Sequence, residues 1–221
     1  MKPVVAIDGP SGAGKSTVAQ AVAGELGLPV LDTGAMYRAG TLAALAAGVD
    51  PTDGPACAAV ARRVDVDQRG STTLLDGRDV SAEIRTPAVT DAVSLVSAHP
   101  AVRTVLVEHQ QTWLVARESG VVEGRDIGTV VFPDAAVKVF LTASETERAR
   151  RRRDESSPDQ RMTIDEVRAD LDRRDRFDTS RAVSPLQPAP DALRIDTTDR
   201  TVDEVVRDVV DCFRARTAAT R

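Results

Sequence analysis

The residues that most constrain this chain are Gly9, Pro10, Ser11, Gly12, Ala13, Gly14, Lys15 and Ser16, which join the apolar run Val4, Val5, Ala6, Ile7 to a helical pattern. Glycines at positions 9, 12 and 14 let the backbone turn tightly and aim its N–H groups inward, where no Cβ blocks an anion. With a strand before it and a helix after it, the run reads as a phosphate-binding loop for a nucleoside triphosphate. In such a loop Lys15 reaches the β- and γ-phosphates. The Ser16 hydroxyl serves Mg²⁺, and the start of the next helix adds partial positive charge.

The flanking pattern sets the fold class. Residues 4–7 are continuously apolar and rich in β-branched side chains, as in a strand covered on both faces, and Asp8 closes the run. Val18, Ala19, Val22, Ala23 and Leu26 form a helical stripe that Gly27 ends, and a short strand follows at 30–31. Strand, helix, strand in this order commits the sheet to parallel pairing. Further strands at 121–122, 137–141 and 192–196 predict a five-stranded parallel α/β fold of the P-loop NTPase type, with helices on both faces.

Between them, residues 56–84 break the rhythm. Arg69-Gly70 and Asp76-Gly77 are turn signals, the second a strong hairpin signal, and they predict a small antiparallel sheet. A helix is expected at 35–47 with Thr33 as its N-cap. Others are expected from Pro87 and from Pro100 to Glu118, with Gly120 stopping the latter. Ser144 with Glu147, Thr163 with Glu166 and Thr201 with Glu204 read as capping boxes of three later helices. The last shows a stripe of Val202, Val205, Val206, Val209 and Val210.

Arginines crowd the first two of those helices, and the polar stretch 156–159 between them reads as a mobile loop. The pair suits a lid over about 148–181, although a solvated face balanced by Glu145, Glu147, Asp154 and Glu155 has the same signature. Residues 177–186 are expected to leave the helix. The whole chain, 1–221, is expected to form one unit with an acceptor-binding region at about 32–119 that includes the insertion at about 56–84.

Composition narrows the partners. A net charge of −5 and 3% aromatic residues argue against a general nucleic-acid or membrane-surface binder. Cys57 and Cys212 have no metal-ligand spacing, and His99 and His109 stand as single residues. With the first strand starting at once no signal peptide is expected, and no apolar run has membrane-spanning length. The expectation is a cytoplasmic monomer that engages neither nucleic acid nor membrane.

Guanine-reading Asn-Lys-x-Asp and a transporter-type Leu-Ser-Gly-Gly-Gln segment are both absent, which leaves small-molecule kinases. Phosphoryl transfer needs positioned cations around both substrates, and arginines at 38, 103, 125, 151, 174 and 181 suit that demand. From position alone, Tyr37 and Arg38 fit a ligand role and an ordinary helix face equally well.

Four blocks carry a family resemblance: the loop at 9–16, Leu-Asp-Thr-Gly-Ala-Met-Tyr-Arg at 31–38, Glu-Gly-Arg-Asp-Ile-Gly-Thr-Val-Val-Phe-Pro at 123–133, and Arg-Asp-Arg-Phe-Asp-Thr-Ser-Arg at 174–181. Together they resemble bacterial cytidylate kinases over nearly the whole chain. The resemblance implies transfer of phosphate from ATP to CMP or dCMP with Mg²⁺.

It assigns the ATP side to residues 9–17, Thr17 included, with Arg148 and Arg151, and the metal to Ser16. Thr33, Tyr37, Arg38 and Arg125 match residues around the acceptor phosphate. Ser94, Arg103 and Asp126 match those that read cytosine, and a carboxylate suits its N4 amino donor while repelling the uracil carbonyl. Asp178 matches a ribose contact, and Arg174 and Arg181 match arginines on the transferred phosphate. Lys15, Arg125, Asp126, Arg174 and Arg181 form the implied catalytic set. Glu123 stands where the family usually has Asp, and Ser16 where some members have Gly. The same scaffold could take another acceptor such as UMP or shikimate, and an RNA partner for the arginine-rich helices is the reading from a different class.

Overall fold

All five residues of the first strand, β1 (Val4–Asp8), are buried, and the rest of one sheet is built outward from it. The structure is a computed structural model that describes residues 3–154, 162–181 and 183–218. After β1 come α1 (Lys15–Leu26), β2 (Val30–Asp32), α2 (Thr33–Ala46), α3 (Gly54–Ala61) and the short strands β3 (Val66–Arg69), β4 (Thr72–Leu75) and β5 (Arg78–Asp79). A 3-10 turn (Glu83–Arg85) leads to α4 (Pro87–Val96), α5 (Pro100–Arg117) and β6 (Gly120–Gly124). A π-helical turn (Ile127–Val131), β7 (Val137–Thr142), α6 (Glu145–Asp154), α7 (Ile164–Thr179), β8 (Leu193–Asp196) and α8 (Val202–Ala218) complete the chain.

The five apolar runs form one sheet in the order β2-β6-β1-β7-β8, and β3-β4-β5 form a second. β1 runs parallel to β7, with Val5 opposite Val137 and Asp8 opposite Phe140, and β7 runs parallel to β8. The small sheet is antiparallel, as the turn signals require. Asp76 and Gly77 have φ of 51° and 78°, the left-handed pair of a two-residue hairpin between Leu75 and Arg78.

The chain divides into two compact units, one around Pro29–Val122 and one of Pro3–Leu28 with the residues from Glu123 onward. In the second, α1 buries Val18, Ala19, Val22 and Ala23, and the Gly27 N–H closes the helix on the Ala23 carbonyl at a φ of 66°. α8 lays Val205, Val209 and Val210 inward and packs on α1 and β7. In the first, Tyr37, Ala44, Cys57, Ala58, Ala61, Val96, Val102, Val105 and Leu106 form a core shared by α2, α3, α4 and α5.

Local details depart from the sequence pattern for identifiable reasons. Asp32, not Thr33, caps α2, because its carboxylate accepts the Ala35 N–H at 3.0 Å and draws the helix start back to Thr33. The box at Ser144 forms by half. Ser144 Oγ accepts the Glu147 N–H at 3.3 Å, but the Glu147 carboxylate turns to Arg150 and Arg151, and the Ser144 N–H goes to Thr198 Oγ1 at 2.9 Å.

Both halves form at Thr163 with Glu166 and at Thr201 with Glu204. α7 keeps Phe177 and Asp178 within the helix, where Asp178 is buried and salt-bridged, and the chain leaves only after Thr179. The stretch 156–159, expected to be a mobile loop, lies outside the described residues.

Gly120 does not end α5. Glu118 does, at a φ of 66°, with its N–H on the Leu114 carbonyl at 2.7 Å. Gly120 is instead the first residue of β6, where a Cβ would lie 3.3 Å from both Leu114 Cδ1 and the Pro29 carbonyl oxygen. Its smallness serves packing. Gly120→Val is therefore expected to destabilise the chain by about 1–3 kcal/mol through overpacking, read as a lower urea midpoint with an unchanged slope.

Candidate active site

The loop between β1 and α1 is shaped by two close neighbours. A Cβ on Gly9 would lie 2.3 Å from the Leu141 carbonyl oxygen of β7, and one on Gly12 would lie 2.8 Å from the Arg148 carbonyl oxygen of α6. Gly9, Gly12 and Gly14 take φ of 151°, 76° and 86°, so the first two positions are closed to ordinary side chains on both counts and Gly14 by its backbone angle. Lys15 is buried, and its ammonium donates to the Pro10 carbonyl at 2.8 Å, which curls the side chain across the loop.

α1 begins with neither a side-chain cap nor an acidic residue in its first turn. Its first N–H groups and positive dipole end therefore face no carboxylate of its own first turn, and the residues fit a bound phosphate chain. Ser16 and Thr17 are exposed on that turn. Among the described residues no cluster of three or more His, Cys, Asp or Glu could hold a metal.

Arginines reach this loop from α6 and the segment after β6, and α7 supplies a carboxylate to it. Arg148 is buried and donates to the Ser11 carbonyl at 3.1 Å while pairing with Asp175, which also accepts the Ser11 N–H at 3.4 Å. Arg151 donates to Glu147 at 2.8 Å and to the Thr197 hydroxyl and carbonyl at 2.9 and 2.8 Å. The Thr197 hydroxyl in turn bonds the Ala13 carbonyl at 3.2 Å. Its two arginines, Arg150 first, hold the Glu147 carboxyl down at about 2.

Arg125 donates to the Gly9 carbonyl at 3.1 Å and to Asp178 at 2.8 Å, and Arg181 pairs with the other oxygen of Asp178 while lying 5.4 Å over the Phe177 ring. Arg174 pairs with Asp170 at 3.0 Å. Burial above all, with the charges of Arg152, Arg173 and Arg125 adding to it, nonetheless pushes its guanidinium below the usual range. The structure thus brings Arg125, Asp178 and Arg181 together at the loop's first residue, and Arg148 and Arg151 along its length.

In the Pro29–Val122 unit, Thr33 and Tyr37 are buried and the Arg103 guanidinium lies 5.4 Å over the Tyr37 ring. Arg38 donates to the Ile84 carbonyl at 3.2 Å and to the Thr90 hydroxyl at 2.9 Å. Ser94 is half-buried and four residues beyond Thr90, so it shares that face of α4. Asp126 belongs to the other unit, buried at the entry to the π-helical turn.

Sequence reasoning missed Asp8. This carboxylate, 3% exposed, accepts the Ile127 N–H on one oxygen and the Gly128 N–H on the other, each at 2.8 Å. It fixes the backbone next to Arg125 and Asp126. Burial lifts its carboxyl to about 6, and the charge of Asp126 pushes the same way against the two N–H donors and Lys15. The available signal was an acid at the end of an otherwise apolar strand, immediately before the loop.

A parallel sheet with a phosphate loop at the end of its first strand, ringed by arginines from later helices, defines a P-loop phosphotransferase. The family model for cytidylate kinase matches residues 5–215, and the chain belongs to that family. It is 51% identical to a cytidylate kinase of Mycobacterium leprae, over 98% of this chain and 97% of that one. It is 50% identical to one of Pelotomaculum thermopropionicum, over 99% and 97%. Among solved structures, a gluconokinase of Sinorhizobium meliloti covers 99% of this chain and 94% of its own, at a TM-score of 0.50 and 17% identity, a likeness of fold.

Asp8 makes stability depend on pH. Its proton is held up to about pH 6 in the folded chain against 3.8 ordinarily, so the folded state binds the extra proton between those values. Its contribution is therefore lost as pH rises from about 4 to about 6, by at most about 3 kcal/mol. The expected outcome is that Asp8→Asn abolishes this part of the difference in urea midpoint between pH 4.5 and pH 7.

Proposed function

We propose that the chain transfers the γ-phosphoryl group of ATP to CMP or dCMP, giving ADP and CDP or dCDP. Membership of the cytidylate kinase family and relatives of that name at about half identity over the full chain support the acceptor. The observation that carries the reading is Arg125 on the Gly9 carbonyl. One short segment sets a guanidinium at the edge of the phosphate loop and a buried carboxylate in the very next residue.

In this reading residues 9–17 hold the ATP phosphates through backbone N–H groups and Lys15, with Arg148 and Arg151 beside them. Thr33, Tyr37, Arg38 and Arg125 hold the acceptor phosphate, and Asp178 orients the sugar. Arg174 and Arg181 stabilise charge on the phosphoryl group in flight. Bound Mg²⁺, held on the protein side by Ser16, neutralises phosphate charge. No general base is required, since the reaction depends on alignment and charge neutralisation.

Ser94, Arg103 and Asp126 read the base, with Asp126 accepting from the N4 amino group that uracil lacks. Among the described residues no helix is long and apolar enough to cross a membrane. In this reading the enzyme is cytoplasmic and acts as a monomer without nucleic acid.

A coupled assay over CMP, dCMP, UMP and AMP tests the acceptor. CMP and dCMP are expected to be the preferred substrates, and a preference for UMP or AMP would refute the assignment. Asp126→Ala is expected to lower kcat/KM for CMP more than for UMP, and equal losses would remove its base-reading role. Lys15→Ala is expected to lose about 3 kcal/mol or more of transition-state stabilisation, roughly a hundredfold in kcat/KM. Unchanged turnover would refute the phosphate-loop assignment.

A further inference from the structure

We infer that Gln68, on β3 of the small antiparallel sheet, is a positioning residue for the acceptor nucleotide, acting by fixing the peptide groups of Asp32. This rests on the reading that Thr33, Tyr37 and Arg38, which follow Asp32, hold the acceptor phosphate.

The Gln68 side chain is 4% exposed and bonds a single residue twice. Its Oε1 accepts the Asp32 N–H at 2.8 Å, and its Nε2 donates to the Asp32 carbonyl at 2.6 Å. A primary amide offers one acceptor beside one donor, so it reproduces what a neighbouring strand would give that residue. Asp32 is where such help is needed. It is the last residue of β2 and, through its carboxylate on the Ala35 N–H, the cap that starts α2. Gln68 therefore sets the direction in which α2 departs, with Thr33 in its first turn and Tyr37 and Arg38 one turn on.

The preceding residue secures the other side. Asp67 accepts from Arg117 at 2.6 Å, and Arg117 lies 4.2 Å over the Trp113 ring and donates to the Trp113 carbonyl at 3.3 Å. Both belong to α5, the helix that carries Arg103, whose guanidinium covers the Tyr37 ring. Two adjacent residues of β3 thus tie the start of α2 to the end of α5. The insertion braces the two helices that carry Tyr37, Arg38 and Arg103.

Steady-state kinetics of the full chain with CMP and ATP test this in Gln68→Ala and Gln68→Glu, with Arg38→Ala as a control. Gln68→Glu matches the native volume and keeps an acceptor for the Asp32 N–H, but sets a carboxylate oxygen against the Asp32 carbonyl. It carries the test if Gln68→Ala does not fold. Both variants are expected to raise KM for CMP by about tenfold or more, the scale of orphaning a buried peptide group. KM for ATP is expected to stay within about twofold of native, a split that general loosening of the fold would not give.

An unchanged KM for CMP in the Gln68 variants, where Arg38→Ala raises it, overturns the positioning role alone. So does a rise in both KM values in step. An unchanged KM for CMP in Arg38→Ala overturns the acceptor reading beneath it, and the proposal with it.

Discussion

Arginines crowded on α6, α7 and the segments beside them repel each other, and this protein interleaves carboxylates among them. Asp178 stands between Arg125 and Arg181, Asp175 engages Arg148, Asp170 takes Arg173 and Arg174, and Glu147 takes Arg150 and Arg151. Two of these four acids, Glu147 and Asp170, lie three or four residues from both partners on the same helix, where a pair is held by local geometry. The cations are thereby held in place by the protein's own carboxylates, and preorganised charge is the form in which charge contributes most to catalysis. Arg174 shows where the balance is incomplete, since Asp170 does not offset burial and three neighbouring guanidinium groups.

The end of β1 adds a second constraint. Asp8 and Gly9 are adjacent, and the side chain of one and the carbonyl of the other hold the segment 125–128 by three hydrogen bonds. A strand so fully buried could have ended in an apolar residue. It ends in a carboxylate that burial makes costly to ionise, which is the kind of local sacrifice of stability found where geometry serves a reaction.

What could be read from the sequence was local. The loop glycines, the apolar strands, the hairpin at Asp76-Gly77 and the boxes at Thr163 and Thr201 each depend on residues a few positions apart, and each formed as the pattern requires. Asp8 could not be read in that way, because its partners lie 119 and 120 residues away. Gln68 was hidden for the same reason, its partner being 36 residues distant. Other differences were contests between equal local signals. Asp32 and Thr33 are both good caps, and Asp32 prevailed. Glu147 could close a box or accept two arginines, and the charged partners won.

Trp113 is the single tryptophan of the chain and is 5% exposed beneath the Arg117 guanidinium. Its fluorescence accordingly comes from one known place, with a cation over the ring and little solvent. Emission wavelength and intensity give a built-in optical signal for the seam between α5 and the small sheet, so opening of that seam is visible without any attached dye.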